Sequence, residues 1–237
     1  AARAATDRVA VTVEANGSNG ICICEHATGE IGFRGDYAGQ TNPNSIRNNG
    51  GTLIAFESDR GRQARMPWPE YDLWLLDLTT GQTRPLTSGF GDILGHSWSP
   101  DQNRIAFIRT RAEGDRFGDI WWTDVHTGDA EPLAKGDFAW PEWSPDGQAI
   151  AYVTQRNDQP FVAILDLDSG DQSDVAAGDF PEWSPDGRSL LLTRDNESVV
   201  ALAARSTVVS FAPWAAIVPF GPRAAVVALR PRTAIFT

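Results

Sequence analysis

The sequence predicts an all-β fold built from a repeated unit of four short antiparallel strands. Copies of a Trp-Ser-Pro-Asp motif begin at Trp98, Trp143 and Trp183. Copies of a second motif, Asp-x-x-Thr/Ser-Gly, end at Gly81, Gly128 and Gly170. Successive copies lie about forty to fifty residues apart, which is the length of one four-stranded blade of a β-propeller. No apolar period of helical length precedes residue 200.

The two motifs explain how one unit would form four strands. Pro-Asp-Gly supplies a residue with positive φ at a hairpin tip, so it joins the innermost strand to the second strand. The apolar run after it, such as 150–153, suits a strand packed between neighbouring blades. The Asp-x-x-Thr/Ser-Gly turn then leads from the third strand to the fourth. A degenerate first copy, with Asn-Asn-Gly at the tip, occurs at 45–56.

The repeat divides the chain into an N-terminal segment, a propeller region and a tail. The segment is 1–19, the propeller region is 20–197 and the tail is 198–237. Within the propeller region we predict outer strands at 20–34, complete blades at 37–88, 92–134 and 138–177, and inner strands at 180–197. Four to five blades are thus visible, in a partial or atypical ring. Either 20–34 closes the ring with 180–197, or 198–237 forms an irregular fifth unit.

The tail differs in composition from the repeats before it. It is rich in Ala, Arg, Pro and Val and carries neither motif. Three interpretations stay open: a divergent closing segment, a docking tail through which the chain associates with itself or a partner, and a stretch outside the native reading frame.

The repeats resemble the TolB-type propeller family, whose unit is Trp-Ser-Pro-Asp-Gly, an apolar strand, a polar loop, and an Asp-Ile/Leu-Trp/Tyr strand ending in Thr-Gly. The resemblance covers residues 20–197. It implies a propeller of six to eight blades, a periplasmic or extracellular location and a protein partner.

Charge argues against a nucleic-acid partner, and the proline pattern argues against a membrane-spanning helix. The formal net charge of −11 argues against nucleic acid, because phosphate binding needs a basic surface. The most apolar stretch, 211–229, contains Pro213, Pro219 and Pro222, which excludes a membrane-spanning helix. Residues 1–8 lack the apolar core of a signal peptide, so the chain is either cytosolic or already processed.

Candidate catalytic groups are few. Gly95-His96-Ser97-Trp98-Ser99 resembles a nucleophile elbow but lacks its final glycine, and it falls on an innermost strand. Cys22 and Cys24 with His26 make an incomplete zinc set, and we interpret the cysteines as strand residues. The chain has three histidines. We therefore expect a protein that is not an enzyme and that has no certain cofactor.

An acidic series marks one end of the predicted channel. Gly-Asp precedes each innermost strand, at Asp36, Asp92, Asp137 and Asp179. In a propeller these carboxylates would converge near the axis and attract Ca²⁺ or another hard cation. Glu142 and Glu182, each in Pro-Glu-Trp, would add to the lining. The alternative is that each aspartate caps its own turn.

A second candidate surface is the long loop of the first complete blade. It carries Arg60, Arg62, Arg65, Trp68 and Tyr71. Arg and aromatic residues are typical interface anchors, and the alternative is a solvated loop that packs its own Trp.

We thus predict a non-catalytic protein-binding or scaffolding propeller of the cell envelope or extracellular space. Two alternatives remain open. One is the propeller part of an enzyme, either a prolyl-oligopeptidase-like hydrolase or a lyase. The other is a subunit of a lattice or filament.

Overall fold

A computed structural model describes the backbone of residues 8–15, 18–25, 31–33, 47–48, 52–59, 71–89, 91–112, 114–194, 197–202, 216–219 and 224–228. Side chains are described within 52–59, 71–89, 91–112 and 114–194. All regular structure in these residues is β-strand, so the predicted all-β class is confirmed. No helix in the described part of the chain has the length and hydropathy to cross a membrane.

Three four-stranded antiparallel units follow the repeat, and we refer to them as blades 1 to 3. Blade 1 contains β4 (Arg47–Asn48), β5 (Leu53–Ser58), β6 (Asp72–Asp77) and β7 (Thr83–Pro85). Blade 2 contains β8 (Ile93–Trp98), β9 (Arg104–Thr110), β10 (Gly118–Asp124) and the first part of β11 (Ala130–Trp143). Blade 3 contains the second part of β11, β12 (Ala149–Arg156), β13 (Gln159–Asp166) and β14 (Gln172–Ala177).

Strand β11 belongs to two blades. Its first part pairs with β10, as in Trp122↔Glu131, and its second part pairs with β12, as in Trp143↔Ile150. The chain therefore runs from the outer strand of blade 2 into the first strand of blade 3 within one strand. For this reason the two blades form one seven-stranded sheet.

A fourth sheet follows blade 3 and includes part of the tail. It contains β15 (Asp179–Trp183), β16 (Ser189–Arg194), β17 (Glu197–Leu202), β18 (Ala216–Pro219) and β19 (Ala224–Ala228), in the order β15-β16-β17-β19-β18. Strand β19 runs parallel to β17, and the other pairs are antiparallel.

The N-terminal strands form a separate sheet of their own. It contains β1 (Arg8–Ala15), β2 (Ser18–Glu25) and β3 (Ile31–Phe33), in that order. Of the predicted outer strands at 20–34, the described residues lie in β2 and β3 of this sheet. Ring closure by 20–34 would have placed one of these strands beside β16, and β17 pairs with β16 there. Pairing with the next strand along the chain closes a much shorter loop than pairing with the distant N-terminus.

The Trp-Ser-Pro-Asp-Gly turns are held by their own side chains. The Ser144 hydroxyl donates to Asp146 at 2.7 Å and accepts from the backbone N–H of Ala149 at 2.9 Å. Gly147 closes the turn with φ of 74°. The same bonds recur in the turn that begins at Ser184, where the hydroxyl holds the pKa of Asp186 below its usual value. These aspartates are therefore turn-forming residues.

The tryptophan of each motif packs against the preceding blade. Trp143 lies in one cluster with Ile108 and Ile120 of blade 2. Trp183 lies with buried residues of blade 3, and its indole N–H donates to the carbonyl of Glu142 at 3.1 Å. Successive blades thus pack face to face with a Trp between them.

Blades 1 and 2 are also joined by a buried polar pair. His96 Nδ1 lies 3.0 Å from Glu57 Oε1, and both side chains are fully buried. The other ring nitrogen of His96 has no hydrogen-bond partner. Glu57 therefore satisfies Nδ1 of the buried His96.

We expect Glu57→Ala to lower the free energy of unfolding by about 3 kcal/mol, because it leaves Nδ1 of the buried His96 without its partner. Denaturant titration measures the loss. The control is Asp174→Ala, which removes an exposed ion pair with Arg156 at 2.8 Å and should cost about 0.5 kcal/mol. Similar losses for the two variants would contradict the importance of the buried pair.

The stability of the protein should fall in strong alkali because of Tyr152. This side chain is fully buried against the edge of Phe138, and its hydroxyl donates to Gln172 at 2.9 Å. Burial raises its pKa from 10.0 to about 12. Between these two pH values the unfolded chain releases the phenol proton while the folded chain retains it. The free energy of unfolding therefore falls as the pH rises from 10 to 12, by about 3 kcal/mol in total. Denaturant titrations at pH 9 and pH 11.5 should show a smaller decline for Tyr152→Phe than for the wild type. Equal declines would contradict the assignment.

Candidate functional site

The first strands of successive sheets lie beside one another and form what we call the inner edge. It consists of β4, β8, the second part of β11, and β15. Of the Gly-Asp pairs singled out in the sequence, those of Asp92, Asp137 and Asp179 lie immediately before or within these strands. The inner edge therefore carries these three aspartates and the two Pro-Glu-Trp segments.

Asp92 fastens blade 2 to the segment that enters β6 of blade 1. Its carboxylate accepts a hydrogen bond from the backbone N–H of Tyr71 at 2.7 Å, and the carbonyl of Tyr71 accepts from Ile93 at 3.1 Å. Burial, followed by the charges of Asp59, Asp92 and Glu57, raises the pKa of Tyr71. Tyr71 is thus the one predicted loop anchor within the described residues, and its backbone N–H contacts the carboxylate of Asp92.

Asp137 lies in an ion-pair cluster. Arg111 donates to Asp137 at 2.9 Å and to Asp119 at 2.6 Å, and it also bonds the carbonyl of Gly136. The hydrogen bonds to Asp119 and Asp137 raise the pKa of Arg111. The charge of Asp137 is therefore already paired with a cation.

Asp179 has a local role. Its carboxylate accepts a hydrogen bond from the N–H of Phe180 at 2.9 Å. The three described aspartates of the series thus have three different partners: a backbone N–H of the preceding blade, an arginine, and the next residue. Among the described residues, no group of three or more His, Cys, Asp or Glu side chains is placed to hold a metal ion. Asp36 lies outside them, and the Ca²⁺ site stays a prediction.

Glu142 and Glu182 occupy equivalent places on β11 and β15. They pair across the sheet with Ala151 and Leu191 respectively. Glu142 is half-buried and Glu182 is exposed. Both residues therefore lie on first strands that form the inner edge, and their role in lining a channel stays a prediction.

Sequence reasoning missed an aromatic pair on the same two strands. Trp140 and Phe180 lie three residues before the motif tryptophans, and their ring centroids are 4.8 Å apart with an interplanar angle of 45°. Phe180 is 53% exposed. The signal was present as an aromatic-Pro-Glu-Trp segment that occurs twice at the same place in the repeat.

The remaining candidates fall into two groups. Arg60, Arg62, Arg65 and Trp68 lie outside the described residues, and their role as interface anchors stays a prediction. Ser97 is buried, and its hydroxyl accepts a hydrogen bond from the N–H of Trp143 at 2.9 Å. Ser97 therefore serves the contact between blades 2 and 3.

The fold and its repeat are similar to those of known proteins. The chain is 32% identical over 102 residues to the uncharacterized peptidase YuxL of Bacillus subtilis, which is 42% of this chain and 15% of that protein. It superposes on TolB from Acinetobacter baumannii with a TM-score of 0.61 at 20% identity, covering 81% of this chain and 48% of TolB. It superposes on an oligogalacturonate lyase in complex with manganese with a TM-score of 0.56 at 16% identity, covering 78% and 53%.

These similarities differ in what they establish. The two superpositions show the fold alone at this level of identity, and the chain spans about half or less of each protein named here. The family model described as the TolB beta propeller domain matches residues 65–209, which is more than half of the chain. The predicted β-propeller fold and the TolB-like resemblance are thereby confirmed, and the chain belongs to the TolB β-propeller domain family.

Proposed function

We propose that this chain is a non-catalytic propeller that binds another protein through its inner edge. The observation that carries the proposal is the exposure of Phe180, 53% accessible beside Trp140 on the first strands of two neighbouring sheets. Large apolar side chains left open beside charged residues are typical of protein-interaction surfaces.

The charge around this surface supports a protein partner. Glu142, Glu182 and Asp179 lie along the inner edge, and the chain carries a net charge of −11. Carboxylates around an aromatic centre favour a partner with basic groups and speed its encounter. A location in the periplasm or outside the cell is part of the proposal and rests on membership in the TolB family.

An enzymatic role is the second candidate, favoured by the match to the peptidase of Bacillus subtilis. In that case the chain would be the propeller part of a larger hydrolase. A lyase has only the shared fold in its support. Turnover of a chromogenic peptide or of oligogalacturonate by the protein would favour these alternatives over a binding role.

Site-specific photo-crosslinking tests the proposed function. Phe180 is replaced by the photo-reactive p-benzoylphenylalanine, which keeps an aromatic ring at the inner edge, and the protein is irradiated with an envelope fraction of the native source. Because the ring faces the partner in the proposal, we expect a discrete covalent adduct with another protein, measured by gel shift and mass spectrometry.

The matched control carries the same photo-reactive residue at Glu131, an exposed site on the first part of β11. That variant should give no such adduct. Absence of an adduct at 180, or equal adducts at both positions, would contradict binding through the inner edge.

A further inference from the structure

One position of the repeat has the same unusual backbone in three successive sheets. Gly95, Trp140 and Phe180 each lie three residues before the motif tryptophan, with φ of 64°, 50° and 50°. The pairing register shifts at this position in all three first strands. A β-bulge thus imposes a left-handed residue there, which glycine adopts without steric cost and an aromatic residue does not.

The aromatic residues at this position are further restricted by the proline that follows each of them. Pro141 and Pro181 disfavour helical backbone at the preceding residue. Trp140 gains burial in return, because it packs against the core between blade 3 and the fourth sheet. Phe180 gains less, since about half of its surface stays open. Packing of the Phe180 ring against the described residues therefore does little to offset its strained backbone.

The three residues form a continuous surface. A side chain at Gly95 would meet the Trp140 ring at 3.3 Å, so the indole lies over the bare backbone of blade 2. Phe180 then lies against Trp140, at 4.8 Å between ring centroids. The rings thus continue from one first strand to the next.

A carboxylate follows each aromatic residue at the same distance along the chain. Glu142 and Glu182 lie two residues after Trp140 and Phe180, in matching aromatic-Pro-Glu-Trp segments. We call Trp140, Glu142, Phe180 and Glu182 the aromatic–acid step. It combines π faces with negative charge, two features that attract a cation carried on an apolar stem.

We propose that the aromatic–acid step binds an arginine or lysine side chain of a partner polypeptide. This inference rests on the proposed function and specifies the chemistry of the partner. The same chain already stacks guanidinium groups on indoles: Arg104 lies 4.2 Å from the ring centroid of Trp122, and Arg109 lies 5.0 Å from that of Trp121. A partner arginine would repeat this contact between chains, with Glu182 supplying the counter-charge.

A pair of small probes isolates the cation. N-acetyl-arginine amide and N-acetyl-citrulline amide have nearly the same shape, and only the first is charged. Two-dimensional NMR of the protein follows the Trp140 indole N–H signal, assigned with Trp140→Phe. We expect the arginine probe to shift this signal saturably and to bind roughly fivefold or more tightly than the citrulline probe.

Variants assign the binding to the step. Phe180→Gly and Glu182→Gln should each weaken arginine binding by roughly threefold or more. Glu131→Gln, which removes an exposed carboxylate outside the inner edge, should leave it unchanged. Phe180→Gly should also keep or raise the thermal midpoint, because glycine relieves the left-handed backbone.

Three results would overturn the inference: no saturable shift with the arginine probe, equal affinity for citrulline, or a thermal midpoint several degrees lower in Phe180→Gly. The last would mean that the chain itself covers the Phe180 ring.

The photo-crosslink separates the two proposals. An adduct at 180 without arginine selectivity would leave the proposed function standing and remove only the cation site, and arginine selectivity without an adduct would remove the binding role.

Discussion

Burial of both faces of the second strand in each blade is the constraint on which the rest of the fold depends. Strands β5, β9 and β12 have almost no accessible side-chain surface along their central residues. A strand buried on two faces needs a sheet packed on each side, and its sequence becomes a continuous apolar run. The blades must therefore stack face to face, and the first strand of each is left along the inner edge.

This stacking explains why polar groups inside the blades are committed to structure. Glu57 is a charged residue at the end of an apolar run, and it is tolerated because His96 of the next blade is 3.0 Å away. Ser97 and Ser144 likewise bond backbone groups in the blade contact and in the turn. Groups with such partners have little freedom to serve a ligand, so the chemistry left for binding lies at the inner edge.

The sequence predicted the repeating parts of the fold well because their causes are local. Pro-Asp-Gly and Asp-x-x-Thr/Ser-Gly carry their own hydrogen bonds, as Ser144 with Asp146 shows, so a motif of five residues was enough to place the turns. The continuity of β11 through two blades was not predictable, because it depends on which partners 130–143 finds on each side.

The candidate site was predicted only in part, for a related reason. The repeat places Glu142 and Glu182 on first strands, β11 and β15. It could not tell that Asp137 would meet Arg111, or that Asp92 would bond Tyr71, because these partners come from loops of other strands. The aromatic pair was missed because a strand pattern gives no sign of positive φ, and a bulge reverses the expected side of a side chain.

The bulge also shows how a repeat that is needed for stability can carry variable chemistry. Each first strand must reach its motif tryptophan in the right register, since Trp143 and Trp183 fill the contact with the preceding blade. The bulge inserts one residue just before that point and turns it out of the ladder, so cross-strand pairing does not fix the side chain there. Blade 2 has Gly95 there, whereas the two following sheets have Trp140 and Phe180. A change at this position alters the inner edge without replacing the motif tryptophans that lie between the blades.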